Sequence, residues 1–166
     1  MPEFIQQQDT RRVFIDTLCE LAEKDDKIVL IINDVGFHYI EKFQGKFPSR
    51  FYNFGVTEAS TAVIAAAMAL DGWKPYVYSM IPFVLFRPAE YIRDAIIFHK
   101  ANVKLLGVQG GSSYKFLGRG HNLAYEDEDV KFCNVLQLQS YTPPLEGVAY
   151  VIEKTYRDSS PAYIRL

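Results

Sequence analysis

Short apolar runs alternate with helix-like segments along this chain, and this alternation restricts the folds that it can form. The clearest run is KIVLIIN, residues 27–33, in which five consecutive residues are aliphatic. The other predicted strands are RFYNFG, KPYVYSM, NVKLLGV, NVLQLQ and AYIRL. Strands that are apolar on both sides are typical of parallel sheets with helices on both faces. The pattern therefore predicts an α/β fold with a doubly wound, mainly parallel sheet.

The segments between these runs have helical features. DTRRVFIDTLCELAEKDD repeats its apolar residues at helical spacing and offers Asp9 or Thr10 as an N-cap. The other predicted helices are TEASTAVIAAAMAL, FRPAEYIRDAIIFHK and PLEGVAYVIEKTYRD, with shorter ones at IEKFQGKF and EDEDVKFC. Because no repeat, low-complexity tract or linker divides the chain, we expect one domain over residues 1–166.

Composition argues against several classes of protein. The net charge of -2 and the hydrophobic content of 49% favour neither disorder nor a nucleic-acid-binding surface. The N-terminal residues lack the apolar core of a signal peptide, and no apolar run reaches the roughly 20 residues that span a bilayer. Cys19 and Cys133 have no CxxC spacing, so we expect both to be reduced core residues. We therefore expect a cytoplasmic protein whose partner is a small molecule or a protein, not nucleic acid or a membrane.

Glu58 has an unusual place, because this carboxylate opens a helix that is otherwise rich in alanine, valine and isoleucine. Two explanations are open. Thr57 could cap the helix while Glu58 complements the helix dipole, and the local sequence alone favours this structural role. Alternatively, Glu58 belongs to a ligand site, because ligands of open parallel sheets bind beyond the carboxyl ends of the strands.

A longer stretch, from Arg50 to Ile96, resembles the pyrimidine-binding domain of transketolases and related thiamin-diphosphate enzymes. The family pattern is a strand, N-x-G-[IV]-x-E, a helix of small residues, an aromatic run and an R-x-x-E-x-I-R helix. Here the pattern is formed by Asn53, Gly55, Val56, Glu58, Phe83, Arg87, Glu90, Ile92 and Arg93. NVKLLGVQGG is similar to the next strand, and LGRGHN stands where transketolases have a D-G-P-T-H-type loop, so the resemblance covers nearly the whole chain.

The resemblance implies chemical roles for three residues. Glu58 would hydrogen-bond N1′ of the aminopyrimidine ring, helping the 4′-amino group to reach the imino form that removes the proton from thiazolium C2. This role needs a carboxyl group that keeps a proton, and an apolar setting favours the protonated form, so we expect Glu58 to be buried among apolar residues. Phe83 would stack on the pyrimidine, and His121 would face the substrate oxygen. Arg87 and Glu90, three residues apart, are expected to pair with each other.

The resemblance also implies a second chain. Thiamin diphosphate needs a diphosphate and metal site, which the family builds from a GDG segment followed by Asn on a separate domain, whereas this chain has only the isolated pair Asp71 and Gly72. We therefore expect a pyrophosphate-binding transketolase-like subunit to hold the diphosphate with Mg²⁺ or Ca²⁺. The exception would be an excised fragment, since the sequence ends at AYIRL where longer transketolases continue. Pyrimidine-binding domains are also expected to associate, as a homodimer or within a heterotetramer.

The substrate loop departs from the family pattern. Leu117, Arg119 and Gly120 replace the family's Asp, Pro and Thr, while Ser140 falls near a family Arg and Gln109 near a family His. His121, Arg119 and Gln109 remain the candidate substrate contacts. Because the lost groups would bind a sugar hydroxyl and a phosphate, the departures predict a smaller or unphosphorylated donor.

Together these features predict a subunit of a split transketolase-like enzyme that transfers a two-carbon ketol or acyl unit. An α-keto acid decarboxylase or dehydrogenase subunit is one alternative, because the sugar-reading residues are altered. A non-catalytic domain kept for assembly or regulation is another, since a fold does not fix a function. Glu58 argues against this last alternative, because a buried carboxylate is costly in a purely structural module.

Overall fold

The computed structural model of the chain describes residues 9–108 and 116–166, without the side chain of Arg119. The helices are α1 Thr10–Ala22, α2 Glu41–Lys46, α3 Glu58–Leu70, α4 Ala89–Tyr91, α5 Glu128–Leu136 and α6 Val148–Arg157. The strands are β1 Ile28–Ile32, β2 Phe51–Asn53, β3 Lys74–Met80, β4 Lys104–Val108, β5 Gln139–Tyr141 and β6 Ala162–Arg165. Wide π-helical turns, Pro82–Phe86 and Ile92–Ile97, flank α4.

The six strands form one parallel sheet in the order β2-β1-β3-β4-β6-β5, which confirms the predicted α/β class. In the centre of the sheet, Leu30 of β1 lies opposite Phe51 of β2 on one side and Tyr76 of β3 on the other. From β1 the chain first adds β2 on one side and then crosses to add β3 on the other. The order of the strands therefore reverses between β1 and β3, and ligands of such sheets bind at this point beyond the carboxyl ends.

Apolar side chains fill both faces of the sheet. On one face α1, α2 and α6 pack over alternate residues of β1, β3 and β4, with Phe14 stacked on Tyr78. On the other face α3, the turns after β3 and α5 pack over the intervening residues, such as Ile31 and Leu105. All five residues of β1 are buried, which explains why its sequence is a continuous aliphatic run.

The predicted strand NVLQLQ is wrong in its position. Helix α5 continues through Leu136, and β5 begins only at Gln139. The helix persists because Asp129 and Cys133, four residues apart, both point into the interior, whereas Val135 is 79% exposed. Gln137 then adopts the left-handed conformation, with φ 57°, and ends the helix.

The predicted helix FRPAEYIRDAIIFHK also differs from the structure, because the helical path begins earlier, at Pro82. The backbone N–H of Arg87 donates to the carbonyl of Pro82, five residues back, at 3.1 Å. Pro88 has no N–H to continue a regular ladder at this point. The wide turn places Phe83 and Arg87 on the same side of the segment, where their side chains touch.

The two cysteines are buried free thiols, as expected. Cys19 lies in α1 and Cys133 in α5, and both belong to the hydrophobic core. In the part of the chain that the structure describes, no helix has the length and apolar character required to cross a membrane.

A buried ion pair joins α5 to the end of β6. The carboxylate of Asp129, with 0% exposure, accepts hydrogen bonds from the Tyr163 hydroxyl at 2.5 Å and from Arg165 Nε at 2.9 Å. Burial raises the pKa of Asp129, but the bonds from Arg165 and Tyr163 outweigh it and hold this pKa below its usual value. Arg165 also contacts Asp127 at 3.3 Å. The ion pair holds the start of α5 against β6, and so fixes the C-terminal end of the segment 116–127 that precedes α5.

We predict that Asp129→Asn lowers the free energy of unfolding by about 3–5 kcal/mol at pH 7, because it leaves the Arg165 charge without its buried partner. A lowered pKa in the folded state stabilises the wild type above the unfolded pKa of about 3.9, and this contribution is lost as the pH falls further. The difference between variant and wild type should therefore shrink below about pH 4. Urea unfolding at several pH values measures both effects.

Asp94→Asn is the matched control, because Asp94 is exposed and, among the described residues, forms an ion pair with the neighbouring Arg93 alone. Its effect should stay within about 0.5 kcal/mol. An Asp129→Asn variant as stable as this control at pH 7 would contradict the assigned importance of the buried pair.

Candidate functional site

Glu58 lies at the reversal point of the sheet, as the first residue of α3. The turn between β2 and α3 is tight, and Gly55 in it has φ 66°, a conformation that glycine adopts without strain. Asn53 fixes this turn, because its Oδ1 accepts hydrogen bonds from the N–H groups of Gly55 and Asp34, each at 3.0 Å. The turn after β2 is thus tied to the end of β1.

Asn33 makes a second tie and is a residue that the sequence analysis missed. It follows β1, is 4% exposed, and its Nδ2 donates to the carbonyl of Gly55 and to Thr61 Oγ1, both at 2.8 Å. Thr61 lies one turn into α3, so Asn33 holds both the turn and the helix that position Glu58. The available signal was a polar residue placed directly after a fully aliphatic strand.

Thr57 does not cap α3 with its side chain, contrary to the structural explanation considered for this region. Its hydroxyl instead donates to the carbonyl of Phe54 at 2.9 Å. Thr57 therefore shapes the turn before the helix, and Glu58 remains the acidic residue of the first turn.

The carboxylate of Glu58 is buried and pairs with an arginine. Glu58 is 6% exposed, and its Oε1 accepts a hydrogen bond from Arg87 Nη1 at 2.7 Å. Two expectations are corrected here. The apolar setting expected for Glu58 includes a cation, and Arg87 pairs with Glu58 rather than with Glu90. The guanidinium compensates the charge of a carboxylate that burial would otherwise destabilise.

Phe83 joins this pair to the third predicted site residue. The Cζ atom of Arg87 lies 3.7 Å from the centre of the Phe83 ring, so the guanidinium covers the ring. The ring of His121 contacts Phe83 edge to face, with 5.0 Å between ring centres. Nδ1 of His121 is buried and finds no hydrogen-bond partner within the described residues. The structure therefore brings together Glu58, Phe83 and His121 from three different turns.

This arrangement suits a planar heteroaromatic ligand. A buried carboxylate offers a charged hydrogen-bond acceptor, and Phe83 beside it offers a flat face for stacking. The unpaired Nδ1 of His121 is a buried polar atom of the kind that a ligand can satisfy. The described residues contain no group of three His, Cys, Asp or Glu side chains placed to hold a metal ion.

Arg119 and Gln109 are the two other candidate substrate residues. Arg119 lies in a single 3₁₀ turn, Arg119–His121, next to the site. Gln109 falls outside the described residues. Leu117, which replaces a family Asp, is 38% exposed near the same turn.

A cavity of about 290 Å³ adjoins the carboxyl ends of β1, β3 and β4. Its lining includes Arg11 at the start of α1, Asp34 after β1 and Met80 at the end of β3. Arg11 donates to Asp9 at 2.9 Å and lies over the Tyr39 ring at 4.2 Å. Sequence reasoning gave the region around Arg11 only a capping role, which Asp9 does fulfil by accepting from two backbone N–H groups. The guanidinium of Arg11 thus places a positive charge at this edge of the sheet.

Comparison with known proteins points to one family. The family described as "Transketolase, pyrimidine binding domain" matches residues 6–131. The chain is 33% identical over 117 residues to an apulose-4-phosphate transketolase subunit of Phocaeicola vulgatus, covering 70% of this chain and 38% of that protein. It is 27% identical over 158 residues to the 6-deoxy-6-sulfo-D-fructose transketolase subunit SqwH of a Clostridium species, covering 94% of this chain and 48% of that protein.

A solved structure gives the same result at the level of the fold. The protein described as "Split gene transketolase, inactive beta4 tetramer" superposes with a TM-score of 0.81 at 28% identity, covering 95% of this chain and 50% of that one. The chain thus spans about half, or less, of the length of these proteins.

Proposed function

The chain belongs to the transketolase pyrimidine-binding family, and from this premise we propose that it is the pyrimidine-binding part of a split, thiamin-diphosphate-dependent transketolase. The proposed reaction is the transfer of a two-carbon ketol or acyl unit. The observation that carries the proposal is the meeting of Glu58, Phe83 and His121 at one point of the sheet. A buried carboxyl group, a stacking face and an imidazole nitrogen that no described residue engages match what an aminopyrimidine and a nearby substrate require.

Each residue has one proposed task. Glu58 would hold the ring nitrogen of the aminopyrimidine, and Phe83 would support the face of that ring. When bound, thiamin diphosphate supplies a nucleophilic carbon that carries the transferred fragment. His121 would exchange a hydrogen bond or a proton with the substrate oxygen through Nδ1, which no described residue engages. Asn33 and Asn53 would keep the Glu58 turn in place through their bonds to Gly55, Thr61 and Asp34.

The proposal assigns the diphosphate, with Mg²⁺ or Ca²⁺, to a second chain. It is supported by relatives whose names describe subunits of transketolases and by a structural neighbour described as the product of a split gene. In such enzymes the work of one long chain is divided between polypeptides. The pyrimidine part and the diphosphate part must then meet to form one cofactor site.

The outer face of α3 is the proposed surface for contact with another subunit. The residues that it presents are small or apolar, namely Ser60, Val63, Ile64 and Ala67, and Val63 is 43% exposed. With Tyr91 the first three of these line an open groove. Exposed apolar faces of this kind mark protein contacts. A homodimer of this chain, or a heterotetramer with the diphosphate subunit, would cover the face.

The cytoplasm is the proposed location. Cys19 and Cys133 are buried and unpaired by disulfides, as is usual in a reducing compartment. Burial raises the pKa of both thiols, that of Cys133 to about 12, so both remain protonated and unreactive at neutral pH.

An anionic sugar is the proposed substrate, in place of the smaller donor expected from the sequence. Arg11 lines the cavity at the carboxyl ends of β1, β3 and β4, and a guanidinium keeps several N–H donors after one has paired with Asp9. One relative is named for a phosphorylated sugar, apulose 4-phosphate, and the other for a sulfonated sugar, 6-deoxy-6-sulfo-D-fructose. Guanidinium groups suit both kinds of anion.

We predict that the chain alone binds thiamin diphosphate with Mg²⁺ weakly and gains tight binding and activity when the diphosphate-binding subunit is added.

Glu58→Gln should assemble with that subunit and still bind the diphosphate end, while kcat falls at least about 100-fold, because an amide cannot relay the proton. Titration calorimetry and steady-state rates measure the two parts.

Glu20→Gln provides the control, since Glu20 is an exposed carboxylate on α1 and touches neither Glu58 nor Phe83 in the described contacts. Tight, metal-dependent cofactor binding by the isolated chain would refute the divided site. A Glu58→Gln complex that keeps most of its activity would refute the role of Glu58.

For the substrate, we predict that the assembled enzyme uses xylulose 5-phosphate with a higher kcat/KM than xylulose or pyruvate. Arg11→Ala should lower kcat/KM for xylulose 5-phosphate about tenfold or more, which is what the loss of one charge-assisted hydrogen bond costs. The kcat/KM for xylulose should remain nearly unchanged. Arg93→Ala, which removes an exposed arginine elsewhere, should change neither. A preference for pyruvate would restore the smaller donor, and equal losses for both sugars in Arg11→Ala would refute the phosphate-binding role of Arg11.

A further inference from the structure

The guanidinium of Arg87 fills the space between the two side chains that are proposed to hold the cofactor ring. On one side it donates to the Glu58 carboxylate at 2.7 Å, and on the other its Cζ atom lies 3.7 Å from the centre of the Phe83 ring. Any ligand that stacks on this face of Phe83 while bonding to Glu58 needs the same space. Two planar groups cannot occupy it together.

The guanidinium also resembles the ring chemically. Both groups are flat, both present N–H donors or a protonated nitrogen to a carboxylate, and both stack on an aromatic face. On this basis we propose that Arg87 is an internal occupant of the aminopyrimidine site and that the cofactor ring binds by displacing it. The inference rests on the proposed function and adds a gate to the same site.

The surroundings of Arg87 allow its side chain to leave. Its backbone is held by the wide turn, with the N–H bonded to Pro82, but its side chain is 44% exposed, whereas that of Glu58 is 7% exposed. A rotation about the side-chain bonds can therefore carry the guanidinium into water without moving Glu58. What prevents this rotation is the charge of the buried carboxylate, which needs a partner.

Glu90 offers the displaced arginine a second carboxylate. It lies three residues after Arg87, is exposed, and makes no ion pair within the described part of the chain. Positions three apart on a helix bring such side chains together. The Arg87–Glu90 pair expected from the sequence is then the arrangement that follows binding, while the Arg87–Glu58 pair precedes it. When the ligand ring binds, it replaces the Arg87 guanidinium both as the partner of Glu58 and as the planar group on Phe83.

The apparent affinity of a site is reduced by the fraction of molecules in which it is closed. Removing the internal occupant should therefore tighten binding of the ring. The probe is 4-amino-5-aminomethyl-2-methylpyrimidine, which carries the aminopyrimidine of thiamin without its diphosphate, so the full chain can be tested alone. Binding is measured by ligand-observed NMR titration, with far-UV circular dichroism and thermal melting to confirm that each variant folds.

Arg87→Ala should lower the Kd of the probe about 3- to 10-fold. Arg87→Gln keeps length and polarity without the charge, and should give a smaller change in the same direction. Glu90→Gln removes only the second partner and should weaken binding about twofold, as loss of one helix-surface ion pair does. In the wild type, the Nε resonance of Arg87 should shift as the probe is added.

Two variants separate this inference from the function on which it rests. Phe83→Ala and Glu58→Gln should both weaken binding of the probe. If they do and Arg87→Ala also weakens it or leaves it unchanged, the site stands and the gate is overturned. If Phe83→Ala and Glu58→Gln leave binding unchanged, the ring does not bind here, and both the proposed function and the gate fail. Binding measurable only in Arg87→Ala supports the gate, and binding in no variant counts against both.

Discussion

The position of the site follows from one constraint, the parallel direction of all six strands. Each parallel connection must cross back over the sheet, so every strand-to-helix turn lies at the same edge. This is how Asn33, Glu58, Phe83 and His121, which span almost ninety positions of sequence, come to adjoin one another. The reversal of strand order between β1 and β3 then separates the neighbouring turns and leaves room for a ligand.

Two buried carboxylates show how the chain treats a charge in the core and at the proposed site. Asp129 pairs with Arg165, whose side chain is 15% exposed and leaves from a strand, and the Tyr163 hydroxyl completes the bonds. Glu58 pairs with Arg87, which leaves from a wide helical turn and is 44% exposed. Coulombic attraction compensates the buried charge in both cases. The difference is that one cation is enclosed, whereas the other can reach water.

Much of the fold was predictable because hydrophobic pattern and fold agree in this chain. The aliphatic run of β1 and the small-residue helix α3 were identified from the sequence, and the family motif located Glu58, Phe83 and His121. The position of β5 was not predictable, because residues 136–139 alternate Leu and Gln as a strand does, while tertiary packing of Cys133 keeps the chain helical through Leu136. The partner of Glu58 was missed for a similar reason. The spacing of Arg87 and Glu90 satisfies a local rule, but a buried carboxylate from another element competes more strongly for the same cation.

In the proposed function, the pyrimidine site is completed by a second chain, so it has to remain stable before that chain and the cofactor arrive. The carboxylate that the chemistry needs must be buried, and a buried carboxylate without a partner is costly. An enclosed structural cation such as Arg165 would solve this problem permanently and close the site. An exposed arginine solves it reversibly, because its side chain can leave Glu58 for water while a ligand ring takes over both the bond to the carboxylate and the stacking on Phe83. The same residue can then protect Glu58 and yield to a ligand that makes both contacts.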